Sequence, residues 1–421
     1  MTTNDITVDE TETHADPHAA IDSETRAFPL VRQCPLSPPV EYTALRSKCP
    51  VSKGNLSLSG KPVWVLTRYE DVKRALGEPS MSSDAKLPGY PLQFLVPDEI
   101  LQVMKLPFSA LDAPEHTKQR RLVIPEFTAK RIQQLRPRIQ QIVDDRIDAL
   151  LDRGGPVDLV KELAAPVPSM LFCEMLGADP ADIDYFRRYS EVTMDRDATA
   201  AETGALLGEM DGFLTRLLAA KAENPGDDML SRLIVKNRAE EVPLETEDLV
   251  SIARLMVVAG FDTTANMIGL SVVTLLENPD QLAELQQDPS LARKAVDELL
   301  RYLSIADSAT VRVAKEDIEF SGVTVRAGEG VIAANGAANW DPDVFPDPSV
   351  LDLHRETQAH LAFSSGPHQC LGANLARVQL EVVLTTLFAR IPGLKLAVPV
   401  EDLPFMRGGH IYGLHSLPVT W

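Results

Sequence analysis

The chain contains 421 residues, of which 44% are hydrophobic, and its formal net charge is −20 at pH 7. That acidity excludes nucleic acid and anionic membrane surfaces as general partners, because both are negatively charged. The sequence shows neither an apolar run near the ~20 residues that span a bilayer nor a basic-then-apolar leader, so we expect a cytoplasmic protein without a membrane anchor.

The first 27 residues differ in composition from the rest. Arg26 is their one Arg or Lys, large apolar residues are scarce, and the acids are Asp5, Asp9, Glu10, Glu12, Asp16, Asp22 and Glu24. This composition predicts a disordered acidic tail over 1–27. No Gly/Ser linker, repeat or low-complexity segment divides residues 28–421, which we interpret as a single domain.

Basic residues cluster after the turn Asp112-Ala-Pro-Glu115. His116 and Arg120 stand at i,i+4 spacing, which places them on one face of a helix. Residues 116–138 contain one acid, Glu126, against Lys118, Arg120, Arg121, Lys130, Arg131, Arg136 and Arg138. Such a run predicts either a docking surface for an acidic partner or an ordinary solvated face.

A long apolar helix is predicted over residues 246–275. Thr246-Glu-Asp supplies a cap and first-turn acids, and Asn278-Pro279 ends the pattern. Because the helix is apolar nearly all round, we expect it to cross the middle of the protein.

The centre of this helix is interrupted by Ala259-Gly260-Phe261-Asp262-Thr263-Thr264. Glycine weakens a helix, and a buried acid and buried hydroxyls need partners. The Thr263 hydroxyl is placed to bond back to the Ala259 carbonyl and loosen the helix there. The pattern predicts either a local opening that admits a small ligand or water, or a simple polar kink.

Two further patterns follow. Glu298 and Arg301 lie on the helical run 290–303 at i,i+3 spacing, which by itself is typical of a solvated surface pair. Residues 318–334 alternate between apolar and polar side chains and contain glycine turns, which predicts a small antiparallel sheet.

One cysteine stands near the end of the run Phe363-Ser-Ser-Gly366-Pro-His368-Gln-Cys370-Leu-Gly372. Without Cys or His partners it cannot build a zinc or iron–sulfur site, but it can serve as the axial thiolate of a haem. Glycines on both sides let the backbone approach a flat ring and aim amide N–H groups at the sulfur. A buried structural cysteine in a turn is the alternative.

Together these patterns resemble the cytochrome P450 family. The cysteine run matches its haem-binding signature Phe-x-x-Gly-x-x-x-Cys-x-Gly, residues 259–264 match its oxygen-binding motif, and Glu298-Leu-Leu-Arg301 matches its Glu-x-x-Arg. Residues 64–71 also resemble the sheet-to-helix junction of soluble, actinobacterial-type members. The resemblance implies a mainly α fold with small β-sheets and a long central helix over a haem b.

By this resemblance Cys370 is the iron ligand. The other residues that it places against the haem macrocycle are Ala259, Gly260, Phe363, Gly366 and Gly372. Those that it pairs with the haem propionates are His116, Arg120, Arg312 and His368. Glu298 and Arg301 would form a buried ion pair that Arg355 completes, after the meander-like residues 339–348.

The resemblance also assigns chemistry around bound oxygen. Asp262 would relay protons and Thr263 would order water. The implied substrate contacts are Leu87, Tyr90, Phe94, Leu95, Met256, Ala259, Ser308 and Ile411. Few of them are charged, which favours a lipophilic substrate.

The implied function is that of a haem-thiolate monooxygenase, which hydroxylates or epoxidises a lipophilic small molecule with O2. Because the sequence contains no dinucleotide, flavin or iron–sulfur motif, electrons would come from a ferredoxin and its reductase. The docking residues would be Lys118, Arg121, Lys130, Arg131 and Arg136, and a monomer is expected. The alternatives are a peroxide-driven haem oxygenase or isomerase, which would not need the Asp262–Thr263 pair, and a non-catalytic haem-based sensor.

Overall fold

The structure is a computed structural model that describes residues 26–92, 96, 98–194, 199–357, 359–406 and 411–421. The predicted acidic tail lies almost wholly outside the described residues, as do Phe94 and Leu95 from the predicted substrate contacts.

The fold is mainly α-helical, as predicted. Apolar residues at helical spacing bury one face of each long helix against its neighbours, and the central pair is buried nearly all round. The helices are α1 (Glu41–Lys48), α2 (Tyr69–Gly77), α3 (Asp98–Val103), α4 (Glu115–Val123), α5 (Ala129–Arg153), α6 (Pro166–Leu176), α7 (Ile183–Met194), α8 (Ala200–Glu223), α9 (Met229–Arg238), α10 (Thr246–Gly260), α11 (Asp262–Leu276), α12 (Pro279–Gln287), α13 (Ala292–Leu303), α14 (Asn335–Asn339) and α15 (Ala373–Arg390).

Short strands form small sheets beside the helices. The strands are β1 (Ala27–Phe28), β2 (Val51–Leu56), β3 (Pro62–Leu66), β4 (Met81–Ser82), β5 (Val157–Asp158), β6 (Val311–Ala314), β7 (Ile318–Phe320), β8 (Val323–Val325), β9 (Gly330–Ala333), β10 (Lys395–Leu396), β11 (Phe405–Met406), β12 (Gly413–Leu414) and β13 (Pro418–Thr420). They form a mixed sheet in the order β1-β2-β3-β9-β6-β4, a sheet β10-β13-β5, and the pairs β11-β12 and β7-β8.

The small antiparallel sheet predicted over residues 318–334 is correct only in its first half. Strands β7 and β8 pair antiparallel, with Ile318 opposite Val325. A turn at Gly328, whose φ is +83°, then directs β9 away into the large sheet. There β9 pairs parallel with β3 and antiparallel with β6, which buries both of its faces.

The predicted central helix is present, and it is broken in the middle. The predicted cap, Thr246, is instead the first residue of the helix. The cap is Glu245, which forms a reciprocal capping box with Asp248. Residues Thr246–Leu276 are long and apolar enough to cross a membrane, but 78% of the most apolar window is buried inside the protein, which identifies a core helix. Helix α10 packs against α8, and α11 packs against α15.

Helix α15 connects the central helix to the cysteine. It packs against α5, α11 and α13, and the loop that carries Cys370 leads into its N-terminus. This packing holds the cysteine loop and the break between α10 and α11 on the same interior cavity.

Candidate functional site

The site is an interior cavity between the helix break and the cysteine loop. Its volume is about 240 Å3. Its lining comes from the central helices (Ala259, Thr263, Thr264, Met267), from the segments before and after β6 and β9 (Leu300, Ile305, Ala306, Thr310, Asn335), and from the cysteine loop and α15 (Ala362, Phe363, Ser364, His368, Cys370, Ala376, Leu380). The described lining contains no carboxylate, ammonium or guanidinium group.

The cysteine loop is held by its own backbone and by α2. The amide of Cys370 donates to the carbonyl of Phe363 at 2.9 Å, which closes the loop. Gly366 has φ of +72°, and a Cβ there would lie 2.6 Å from the carbonyl oxygen of Leu76. Glycine at 366 is therefore required both by the left-handed backbone and by the close approach of α2.

The sulfur of Cys370 lies at the N-terminus of α15. The surrounding protein desolvates the thiol and raises its pKa, although Cys370 is exposed towards the cavity. The amide of Gly372, the charges of Arg120 and Arg377 and the amide of Ala373 act in the opposite direction by stabilising the thiolate. A Cβ at Gly372 would meet this sulfur at an ordinary 3.9 Å. Protein packing alone therefore does not require glycine at 372, in contrast to 366.

The helix break lies at Phe261, where φ is −89° and ψ is −71°. The Thr263 hydroxyl donates to the Ala259 carbonyl at 2.8 Å, as the sequence predicted. Both residues line the cavity. Gly260 is not among the lining residues, and a Cβ at 260 would meet the Phe172 ring at 2.6 Å, so glycine there admits that ring. Its predicted haem contact stays a prediction.

Asp262, beside Thr263, is partly buried and accepts a hydrogen bond from the hydroxyl of Ser190 on α7. No sequence pattern pointed to Ser190, because it lies 72 positions away on another helix. At the helix break, a carboxylate that is fixed by a hydrogen bond therefore lies next to a hydroxyl that faces the cavity.

The four predicted propionate partners lie close together in one cluster. The rings of His116 and His368 lie 4.2 Å apart, and Arg312 is close enough to lower the pKa of both. Burial, followed by Arg312 and His116, lowers the pKa of His368 to about 3. Arg120 donates to the Gln369 carbonyl at 2.6 Å and lies over the Phe108 ring.

This cluster has unused hydrogen-bonding capacity. The buried atoms Nε2 of His116, Nη2 of Arg312 and Nδ1 of His368 have no partner within the described residues. Buried polar groups without partners are costly, and Arg120 and Arg312 are positively charged, so the cluster favours an anionic ligand that accepts hydrogen bonds. The two propionates of a haem supply such charges, and Cys370 on the same cavity supplies the axial sulfur. The residues present therefore fit haem b.

The predicted ion-pair network is also formed. Arg301 binds both oxygens of Glu298 at 2.7 and 2.8 Å, and neither side chain is exposed. Arg355 reaches Glu298 at 3.2 Å, while the remaining Arg301 donor binds the carbonyls of Asn339 and Pro348. The network joins α13 to the segment before the cysteine loop and is buried rather than solvated.

The predicted substrate contacts stay a prediction, and one of those that the structure describes lines this cavity. Ala259 lines the cavity, whereas Leu87, Tyr90, Met256, Ser308 and Ile411 do not. Met256 is buried in the main core, and burial raises the pKa of Tyr90 to about 12.

The sequence prediction missed several lining residues, among them Met267, Leu300, Asn335 and Leu380. One available signal was helical spacing: Met267 lies at i+4 from Thr263, and Leu380 at i+4 from Ala376.

The basic run is partly neutralised. Arg121 pairs with Glu240, and Arg136 pairs with Glu381 at 3.0 Å. Lys118, Lys130 and Arg131 make no ion pair with any residue that the structure describes.

Comparisons with known proteins agree with this site. The profile of the family described as Cytochrome P450 matches residues 210–391. Pentalenic acid synthase from Streptomyces avermitilis is 44% identical over 398 residues, covering 94% of this chain and 97% of that protein. Vitamin D3 dihydroxylase from Streptomyces griseolus is 43% identical over 406 residues, covering 95% and 98%. The crystal structure of cytochrome P450 MoxA from Nonomuraea recticatena has a TM-score of 0.86 and 45% identity, covering 94% of this chain and 98% of that one.

Proposed function

Because this chain belongs to the cytochrome P450 family, and so is a haem b monooxygenase, we propose that it hydroxylates a neutral, largely apolar small molecule with electrons from a ferredoxin. The observation that carries this proposal is that Cys370 and Thr263 line one cavity without carboxylates or fixed cations. Residues 28–421 would form one catalytic domain, monomeric and cytoplasmic.

Bound through Cys370, the haem supplies an iron that activates O2, and the thiolate donates electron density that favours O–O cleavage. The chain fixes that sulfur with the Cys370–Phe363 backbone hydrogen bond and directs the amides of Gly372 and Ala373 towards it. His116, Arg120, Arg312 and His368 would hold the propionates.

Asp262 and Thr263 would control the delivery of protons to the cavity. The Thr263 hydroxyl donates a hydrogen bond to the Ala259 carbonyl, which leaves its oxygen lone pairs available to a water in the cavity. Thr263 would thus order a water by accepting its hydrogen bond. Asp262, one residue earlier and held by Ser190, would deliver protons to that water from outside the cavity.

The cavity wall supports a lipophilic substrate. Half of its lining side chains are aliphatic, and its neutral polar groups include the hydroxyls of Thr264, Thr310 and Ser364 and the amide of Asn335. Such walls favour apolar guests and use few polar groups for orientation. One relative is named for vitamin D3 and another for pentalenic acid. We therefore propose a secondary metabolite of comparable apolar character.

Electron delivery would use the exposed basic residues. Lys118, Lys130 and Arg131 remain available after internal ion pairing and would attract an acidic ferredoxin, with smaller contributions from Arg121 and Arg136.

Turnover tests the proposal against its alternatives. The haem-bound protein is supplied with a ferredoxin, its reductase and NAD(P)H, after a library of lipophilic compounds has been screened for a low- to high-spin shift. Product that depends on O2 and NAD(P)H supports the proposal. Equal turnover with peroxide alone identifies a peroxide-driven enzyme, rearranged product without oxidant an isomerase, and ligand binding without any product a sensor.

A further inference from the structure

A second charged cluster, formed by Arg377, Asp297 and His360, lies beside the cysteine loop. Arg377 projects from α15, and its guanidinium carbon lies 4.7 Å from the centre of the Phe363 ring. Phe363 lines the cavity, and its carbonyl accepts the hydrogen bond from the Cys370 amide. Arg377 thus packs against the same loop that positions the sulfur.

Arg377 also extends towards the end of α15 where the sulfur lies. It follows Ala373, the first residue of the helix, at i,i+4 spacing. Helical side chains tilt towards the N-terminus, and Cys370 stands three residues before Ala373.

Asp297 holds Arg377 in place, and His360 in turn holds Asp297. Nε of Arg377 donates to Oδ1 of Asp297 on α13 at 2.5 Å. Nδ1 of His360 accepts from the Ala362 amide at 3.2 Å, which leaves the ring proton on Nε2, facing Asp297 at 3.5 Å. Arg293 also approaches Asp297, at 3.6 Å, from an exposed position.

The cluster is shielded from solvent. The side chains of Arg377, Asp297 and His360 are 17%, 16% and 2% exposed. Burial alone would raise the pKa of Asp297, but His360 and Arg377 hold that pKa below its ordinary value, so the carboxylate is anionic. Charges shielded to this degree act over a longer range than exposed ones.

We infer that Arg377 is a positioning residue that raises the reduction potential of the haem iron, and that Asp297 and His360 fix its guanidinium over Phe363 for this purpose. One-electron reduction of the haem–thiolate adds one negative charge beside Cys370. A fixed cation stabilises the reduced state, and the more distant carboxylate of Asp297 opposes it. This inference rests on haem ligation by Cys370 and not on the proposed substrate or electron donor.

The test is a spectroelectrochemical titration of the haem-bound protein, without substrate. Arg377→Met keeps an apolar chain against Phe363 and removes the charge, so the equilibrium constant for reduction should fall roughly tenfold, about 59 mV for a one-electron couple. Arg377→Lys should retain most of the wild-type potential. Asp297→Asn keeps hydrogen-bonding groups and removes the negative charge, so it should raise the potential.

The matched control is Arg390→Met, at the far end of the same helix, where the arginine pairs with Asp144 and Asp148. It should leave the potential unchanged. Equal shifts in Arg377→Met and Arg390→Met, or shifts of the same sign in Arg377→Met and Asp297→Asn, would overturn the inference. If Arg377→Met binds no haem, the test depends on Asp297→Asn. A reduction potential in that variant equal to or below the wild-type value would also overturn the inference. A haem-free wild-type protein would instead contradict the family assignment.

Discussion

The hydroxyl of Ser190 on α7 donates a hydrogen bond to Oδ2 of Asp262 at the break of the central helix. Ser190 is fully buried. The contact crosses from one helix to another, so the orientation of the acid depends on where α7 lies. Any displacement of α7 would therefore change the position of the proposed proton relay.

Replacing Ser190 by alanine should slow turnover. A hydrogen bond to a charged group contributes about 1.5–3 kcal/mol, so we expect product formation driven by NAD(P)H to fall at least about tenfold. The solvent deuterium isotope effect should increase, while the substrate-induced spin shift stays the same. Ser271→Ala, at another fully buried serine on α11, is the control and should keep the wild-type rate. A wild-type rate in Ser190→Ala would exclude this role.

Replacing Thr263 by alanine should uncouple the enzyme. The variant removes the hydroxyl that bonds to Ala259 and faces the cavity, so the water that it orders is lost. We expect unchanged haem content but hydrogen peroxide in place of most product, measured as product formed per NAD(P)H consumed. Thr263→Ser keeps the hydroxyl and should stay coupled. Wild-type coupling in the alanine variant would contradict the assignment.

Removing the buried carboxylate of Glu298 should prevent stable folding. Arg301 would retain its carbonyl partners but lose its counter-charge at a position with no exposure, which costs about 3–5 kcal/mol. Glu298→Ala should therefore yield little soluble haem protein, measured as haem absorbance per total protein. Lys294, on the same helix, forms an exposed ion pair with Glu356 in a later segment. Lys294→Ala removes that pair and should change the free energy of unfolding by no more than about 1 kcal/mol. Similar losses in both variants would argue against a buried role for Glu298.

Asp112 should make stability depend on pH. Burial alone would raise the pKa of its carboxyl, but hydrogen bonds from Ser82 and Ser83 and the charge of Lys315 hold that pKa below its ordinary 3.8. A carboxyl with a lower pKa in the folded state stabilises the fold above the ordinary value, and this contribution is lost as pH falls through the folded-state pKa.

Asp112→Asn should therefore lower the melting temperature at neutral pH. The effect corresponds to at most about 1 kcal/mol because the carboxylate is partly exposed, and it should disappear in the acid range. Thermal unfolding followed from neutral to acid pH measures it. Asp184→Asn, at an exposed aspartate, should show no such trend. A difference for Asp112→Asn that is constant across pH would contradict the linkage.

The sequence located those parts of the site whose residues lie close together along the chain at a fixed spacing. Gly366 and Cys370 belong to one loop, and Thr263 reaches Ala259 within one helical turn. By itself, the i,i+3 spacing of Glu298 and Arg301 is typical of a solvated surface pair. Its burial depends on the later segment that brings Arg355 and two carbonyls onto the pair, which no local pattern determines.

The substrate wall could not be predicted in the same way. Met256 and Met267 are the same residue type on the same long helix, yet Met256 is buried in the core and Met267 lines the cavity. Phe261 interrupts the helix between them, so the faces of α10 and α11 are not related by a single helical period. Gly260, one position after Ala259 in α10, lies against Phe172.

The most direct test of the central claim is the ferrous–CO spectrum of the wild-type protein and of Cys370→Ser. The account predicts the strongly red-shifted Soret band of a thiolate-bound haem in the wild type and its loss when oxygen replaces sulfur. A wild-type protein that stays colourless after hemin is supplied, or a Cys370→Ser variant that keeps the red-shifted band, would contradict it.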